Sequence, residues 1–200
     1  MGADAFRYAS FSGAAIGPHV PDLARLRIAI FRDYPYLYDG DEAYEREYLR
    51  TYVDSPRSLA MLVYEGDALV GATTGLPLAD EPEDVQRPFA AAGHDVAGIF
   101  YCGESVLHAR WRGRGIYRRM FLAREAHARA LGGFRTAAFC CVQRPPDHPL
   151  RPADYAPLDP VWRRFGYVER PDLETAFDWK DVGDSQPSVK PMRFWTKALA

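Results

Sequence analysis

Between residues 98 and 142 the chain passes from an apolar run, GIFYCGESVLH, through a basic glycine loop, RWRGRGIYRR. A segment with helical apolar spacing follows, then a second apolar run, TAAFCCV. This succession constrains the fold more than any other feature. Ile116, Met120, Ala123, His127 and Leu131 fall roughly on one face, which predicts a helix over 115–131. Gly132-Gly133 stops it. The flanking runs predict strands at 98–108 and 136–142. A strand, helix, strand unit of this kind is a right-handed crossover by default.

The rest of the chain supplies partners for that unit. Residues 58–78, SLAMLVYEGDALVGATTGLPL, predict a hairpin, because β-branched and apolar runs flank the tight-turn signal Glu65-Gly66-Asp67. Weak alternation at 6–11 predicts a first strand. Residues 21–31 predict an amphipathic helix with Leu23, Leu26 and Ile30 on one face and Asp22 as a cap. Residues 41–52 predict a second helix, with Tyr44, Tyr48 and Tyr52 at a spacing of four. A short helix at most is expected at 82–92. Asp159-Pro160 opens another, which Gly166 ends. Closing strands are expected at 173–179 and 192–197. The order specifies a mixed α/β fold: a central, mostly antiparallel sheet of about six to seven strands, flanked by helices. With 200 residues and no repeat or low-complexity linker, one domain over 1–200 is expected.

Composition narrows the function. The chain has 48% hydrophobic residues, enough for a core that needs neither disulfides nor metal. Its net charge of -2 argues against a nucleic-acid partner, since the arginine cluster is local and offset elsewhere. Cys102, Cys140 and Cys141 are odd in number, and two are adjacent in an apolar run, which suits a reducing compartment. The N-terminus has no charged and apolar leader pattern. It begins Met-Gly, but Phe6 stands where a myristoylation motif requires Ser or Thr. No apolar run approaches a membrane span. A cytoplasmic protein with no membrane partner is expected.

The basic loop lies where a strand ends and a helix begins. A helix N-terminus presents unpaired N–H groups and a positive dipole end. Glycines let the backbone approach a ligand closely. Together they favour a phosphate or pyrophosphate, and the arginines attract the same anion. A Walker A loop is excluded, because no lysine is present here. The dinucleotide fingerprint fails because Arg118 stands where its third glycine belongs.

Arg110-Trp111-Arg112-Gly113-Arg114-Gly115 fits the Q/R-x-x-G-x-G/A signature of the GNAT superfamily, the Gcn5-related N-acetyltransferases. The hairpin around YEGDALVG resembles that family's second and third strands. VWRRFGY, at 161–167, is similar to its short fourth helix ending in Gly-aromatic. The resemblance is close over 98–142 and loose over about 6–198. It implies that acetyl-CoA is the co-substrate. Arg112, Gly113, Arg114, Gly115, Ile116 and Tyr117 would hold its pyrophosphate. A backbone N–H among Val106, Leu107 and His108 would hold the thioester carbonyl. It also implies transfer to an amine, whether a small molecule or a peptide, by direct attack. Two positions depart from the family pattern. Tyr117 stands where many members carry a small residue. Trp162 stands where many carry the tyrosine that protonates the leaving thiolate, and an indole N–H cannot serve as that acid.

Glu104, between apolar neighbours on the strand entering the loop, is the candidate base. The alternative is a strand-edge glutamate paired with a nearby arginine. Tyr155, in the loop before the short helix, is the candidate acid, against a plain packed loop tyrosine. Asp39, Asp41 and Glu42 could attract a cationic amine, or simply cap a helix. Loop 143–158 is the candidate opposite wall of the acceptor site. The five histidines show no metal-ligand spacing, and no metal is expected. The aromatic residues at 34–52 would suit a homodimer face. Two other classes stay open: a non-catalytic acyl-CoA-binding or sensor domain on the same fold, and nucleic-acid binding through the arginines.

Overall fold

In the computed structural model, which describes residues 6–199, the crossover forms the middle of an eight-stranded sheet. The N-terminal leader and lipidation readings rest largely on residues 1–5 and lie outside the described part. The strands are β1 (Arg7–Phe11), β2 (Leu59–Glu65), β3 (Ala68–Pro77), β4 (Ile99–Tyr101), β5 (Ser105–Leu107), β6 (Thr136–Val142), β7 (Val168–Trp179) and β8 (Ser188–Ala198). The helices are α1 (Val20–Phe31), α2 (Glu42–Asp54), α3 (Glu83–Ala91), α4 (Ile116–Leu131) and α5 (Asp159–Arg164). The order across the sheet is β1-β2-β3-β4-β6-β8-β7, with β5 also paired to β3. Only β4 and β6 run parallel; the other pairs are antiparallel. This is the expected mixed, mostly antiparallel sheet.

Helices cover both faces, so the central strands are buried on both sides. Ala60, Leu62, Ala72, Leu76, Val106, Ala138 and Phe194 pack under α1, α2 and α3. Their alternates, Met61, Val63, Val70 and Leu107, pack under the start of α4 with Ile116 and Met120. Phe100, Ala137, Phe139 and Trp195 continue that second face toward Phe121 and Trp162 of α5. Strand alternation thus sorts adjacent residues onto opposite faces. Among the described residues no helix is long and apolar enough to cross a membrane.

The predicted strand 98–108 is corrected by the structure to two strands. Tyr101 pairs with Leu76 of β3, whereas Ser105 pairs with Thr73. Three residues, 102–104, therefore face only two, Thr74 and Gly75, and the strand bulges there. On its other edge β4 bonds β6 as far as the Cys102 N–H, which donates to Ala138 O at 2.7 Å. Beyond that point β5 follows β3, while β6 continues along β8 to Val142. The two strands part, and a gap opens between β5 and the end of β6. Arg124 of α4 braces the parting point. It donates to Glu104 O at 3.0 Å, Ser105 Oγ at 2.7 Å and Thr73 Oγ1 at 2.9 Å.

The closing strands are longer than their apolar parts predict, because polar residues on the outer β7 pair face solvent while the backbone ladder continues. Asp22 lies in the first turn of α1, paired with Arg25, rather than at its cap position.

Candidate active site

Gly113 and Gly115 have φ of 76° and 80°, a region that L side chains avoid, and a Cβ at either would meet open space. Glycine is needed here for backbone shape rather than for room. Gly115 caps α4 without a side-chain bond, and the first amide to bond is Arg119 N–H, to Gly115 O at 3.1 Å. The N–H groups of Ile116, Tyr117 and Arg118 precede that bond. Arg112 and Arg114 are exposed at the same mouth. Arg110 and Arg114 flank the ring of Trp111, which packs edge-on against Phe6 and anchors the loop to the sheet.

The ladder sorts the three residues expected to face the thioester. Thr74 N–H donates to Glu104 O, and His108 N–H donates to Val70 O, both at 3.1 Å. Antiparallel pairing alternates, so Val106 also directs its amide to β3. Leu107, between them, turns its N–H toward the gap.

Glu104 lies in the bulge with its side chain on the α1–α2 face, buried. One oxygen, Oε2, is ion-paired with Arg27 of α1 and accepts a hydrogen bond from Tyr48 at 3.3 Å. The other, Oε1, is buried without a protein partner. Its cation therefore comes from α1 and not from the basic loop. Arg27 also pairs with Glu45 of α2, and both carboxylates hold its guanidinium firmly charged despite burial. Tyr48 and Tyr52 share a hydrogen bond of 3.0 Å. Beside them Glu81 is pushed up to about 8 by burial, with the Glu104 charge adding to the effect.

At the far end of the gap, Trp162 Nε1–H donates to Tyr117 Oη at 2.9 Å. Burial raises the Tyr117 phenol, and the indole donor partly offsets that. Tyr155 packs edge-on against Tyr34 with centroids 4.7 Å apart, on the rim formed by loop 143–158. Burial raises its phenol too. Arg144 fastens this rim: it donates to Pro35 O at 2.8 Å and Tyr36 O at 2.6 Å, and forks onto Asp181. Asp41 caps α2, Glu42 pairs with Arg46, and Asp39 pairs with Lys180 and Arg32. These acids are engaged locally. Cys140 and Cys141 are pushed up to about 12 by burial, so both thiols stay protonated. Among the described residues no three His, Cys, Asp or Glu side chains are grouped to hold a metal.

No family model and no curated protein matches the sequence. Solved structures do match its shape. A GNAT-family protein from Desulfovibrio desulfuricans superimposes with a TM-score of 0.58 at 11% identity, over 97% of this chain and 100% of its own. The fold is that of the GNAT acetyltransferases. An acetyltransferase from Streptococcus agalactiae superimposes with a TM-score of 0.60 at 12% identity, over 98% of this chain and 100% of its own. The protein yncA of Salmonella typhimurium, solved with its cofactor acetyl-CoA, matches at 0.58 and 10%, over 98% of this chain and 95% of its own.

Arg27, Glu45, Glu81 and Arg124 were not singled out by sequence reasoning. Each is a charged residue in an ordinary helix or turn context, and only burial sets it apart. The tyrosine spacing of four in α2 was visible, but it read as helix periodicity rather than as a hydroxyl chain.

Proposed function

We propose that the chain is an acetyl-CoA-dependent N-acetyltransferase that passes the acetyl group to a primary amine by direct attack. The observation that carries this reading is the continuity of two features. The amide-rich mouth of α4 opens onto the gap where β5 and β6 part, and a buried carboxylate with one unpartnered oxygen stands at the root of that gap. Residues 112–117 suit a pyrophosphate, by donors and by dipole. The Leu107 N–H suits the thioester oxygen, where negative charge builds during attack.

In this reading Glu104 takes the proton of the amine through Oε1, while Arg27 and Tyr48 fix the carboxylate through Oε2. The amine nitrogen then bonds the carbonyl carbon, the C–S bond breaks, and the sulfur needs a proton. Tyr117 supplies it. Its oxygen accepts the Trp162 N–H, so its own hydrogen remains free to donate, and the same N–H steadies the phenolate that results. Tyr155 is the competing donor. The tyrosine-rich rim at 34–38 and loop 143–158 would receive the acceptor's body.

The test is calorimetric titration of acetyl-CoA into the protein and into Gly113→Glu, followed by an amine panel read by thiol release. Micromolar binding abolished by the substitution, with thiol release on an amine, is the expected result. Binding without release on any amine would favour the sensor reading. No binding by the folded protein would overturn both.

A further inference from the structure

Arg27 and Arg124 are both buried, but their settings differ. Arg27 faces two carboxylates. Arg124 is 2% exposed, and its Nη1 donates to Glu104 O, Ser105 Oγ and Thr73 Oγ1. Its other nitrogens, Nε and Nη2, are buried without a protein partner. The Phe121 ring lies 4.3 Å from the guanidinium. Among the described residues none of these partners is a carboxylate. A guanidinium keeps its charge when buried, and a buried charge without a counter-ion is costly. A brace for the bulge needs a donor at this place, but not a charge.

The carbonyl that Arg124 holds belongs to the Glu104–Ser105 peptide. It accepts from two further donors, Thr74 N–H at 3.1 Å and the Thr73 hydroxyl at 2.7 Å. Donors on a carbonyl polarise the whole peptide, so its N–H becomes the stronger donor. That N–H is the one of Ser105. Thr74 with Glu104 and Val70 with His108 are bonded pairs of the β3–β5 ladder, so Ser105, like Leu107, turns its amide away from β3 and into the gap. We infer that Arg124 is a positioning residue for acyl transfer: its charge, relayed through the Glu104–Ser105 peptide, arms the Ser105 N–H as a donor to the thioester beside that of Leu107. This rests on the acetyl-transfer reading, but not on Glu104 serving as the base. A cation without a counter-ion gains most when negative charge forms nearby. It therefore favours the transition state over the bound thioester. Arg124 itself gives up no proton and touches no reacting atom.

The full chain is titrated with acetyl-CoA carrying heavy carbon at its carbonyl, and the carbonyl stretch is followed by isotope-edited infrared spectroscopy. In the wild type the stretch is expected below its value in free acetyl-CoA, because a donor weakens the C=O bond. Arg124→Met should move it back toward the free value, with acetyl-CoA affinity unchanged. Thr73→Val removes another donor from Glu104 O and should move it the same way by less. Arg124→Lys should recover part of the shift. With spermidine, tyramine and a lysine peptide as acceptors, Arg124→Met should lower kcat about 10- to 100-fold, as for one lost charge-assisted hydrogen bond, while KM for acetyl-CoA holds. The same variant sheds a charge that has no counter-ion and leaves Glu104 O two donors, so it should melt near the wild type. A wild-type stretch at the free value, or one equal in wild type, Arg124→Met and Thr73→Val, overturns the inference and leaves the acetyl-transfer reading standing. A stretch that responds to Arg124 without turnover of any amine supports the relay and counts against transfer. Absence of acetyl-CoA binding by the folded wild type overturns both.

Discussion

One hydrogen bond joins the two positions at which the motif region departs from the family pattern it resembles. Tyr117 stands where the resemblance expects a small residue and Trp162 where it expects a tyrosine, and the indole N–H meets the phenol oxygen at 2.9 Å. Removing the indole donor raises the phenol pKa, because the phenolate loses its stabilising partner. Trp162→Phe should therefore slow thiol release by about 10- to 100-fold, as expected for a bond worth about 1.5–3 kcal/mol to a charged oxygen. It should also shift the basic limb of the rate profile upward. Tyr117→Phe should lose more, and Tyr155→Phe little; a large loss in Tyr155→Phe alone would reverse the assignment. Arg27 offers a second test at this scale. Arg27→Met strips Glu45 and Glu104 of their buried cation, and urea unfolding at neutral pH should show a loss of about 3–5 kcal/mol.

At the scale of elements, the bulge at 102–104 decides the site. It ends the β4 ladder, turns Glu104 toward α1 and α2, and lets β5 part from β6. In the sequence its sole sign is Gly103 inside an apolar run, and a glycine in a strand marks a bulge only some of the time. The run at 98–108 was therefore legible as strand and illegible as two. Gly103→Ala should destabilise the fold by about 1–3 kcal/mol, because the new methyl overlaps the Tyr52 hydroxyl. Tyr52→Phe removes that oxygen, so the double variant should recover part of the loss in a thermodynamic cycle. The start of α2 is simpler. Asp41 accepts from Ala43 and Tyr44 amides at 2.9 and 3.0 Å, and Asp41→Ala should cost about 1 kcal/mol.

For the whole molecule, Glu81 links stability to pH. Its carboxyl titrates at about 8 in the fold, against the ordinary value of 4.5 in the unfolded chain. The folded state thus holds a proton that the unfolded state has released, and stability falls as pH rises between those values. Each unit of separation is worth about 1.4 kcal/mol. Glu81→Gln should remove this slope, so its melting temperature should match wild type near pH 4.5 and exceed it increasingly toward pH 8–9. Scanning calorimetry across that range is the check; parallel curves would show that Glu81 titrates normally. Arg144 acts at the same scale, since it ties the 34–38 turn, the start of loop 143–158 and Asp181 into one rim.

The sequence by itself determined the order of elements, the crossover and the glycine mouth of α4, and it offered Glu104 as base, Tyr155 as acid and Tyr117 for the pyrophosphate, because periodicity, glycine and capping chemistry act over a few neighbouring residues. The tertiary structure alone decided which groups meet. Arg27 lies on α1, Tyr48 and Tyr52 on α2 and Glu104 in a strand bulge, and their contacts span up to 77 residues between Arg27 and Glu104. Nothing local marks a charged residue as buried. Burial follows from how helices cover the sheet, and the same covering gives Glu81 its raised pKa and Glu104 its single free oxygen.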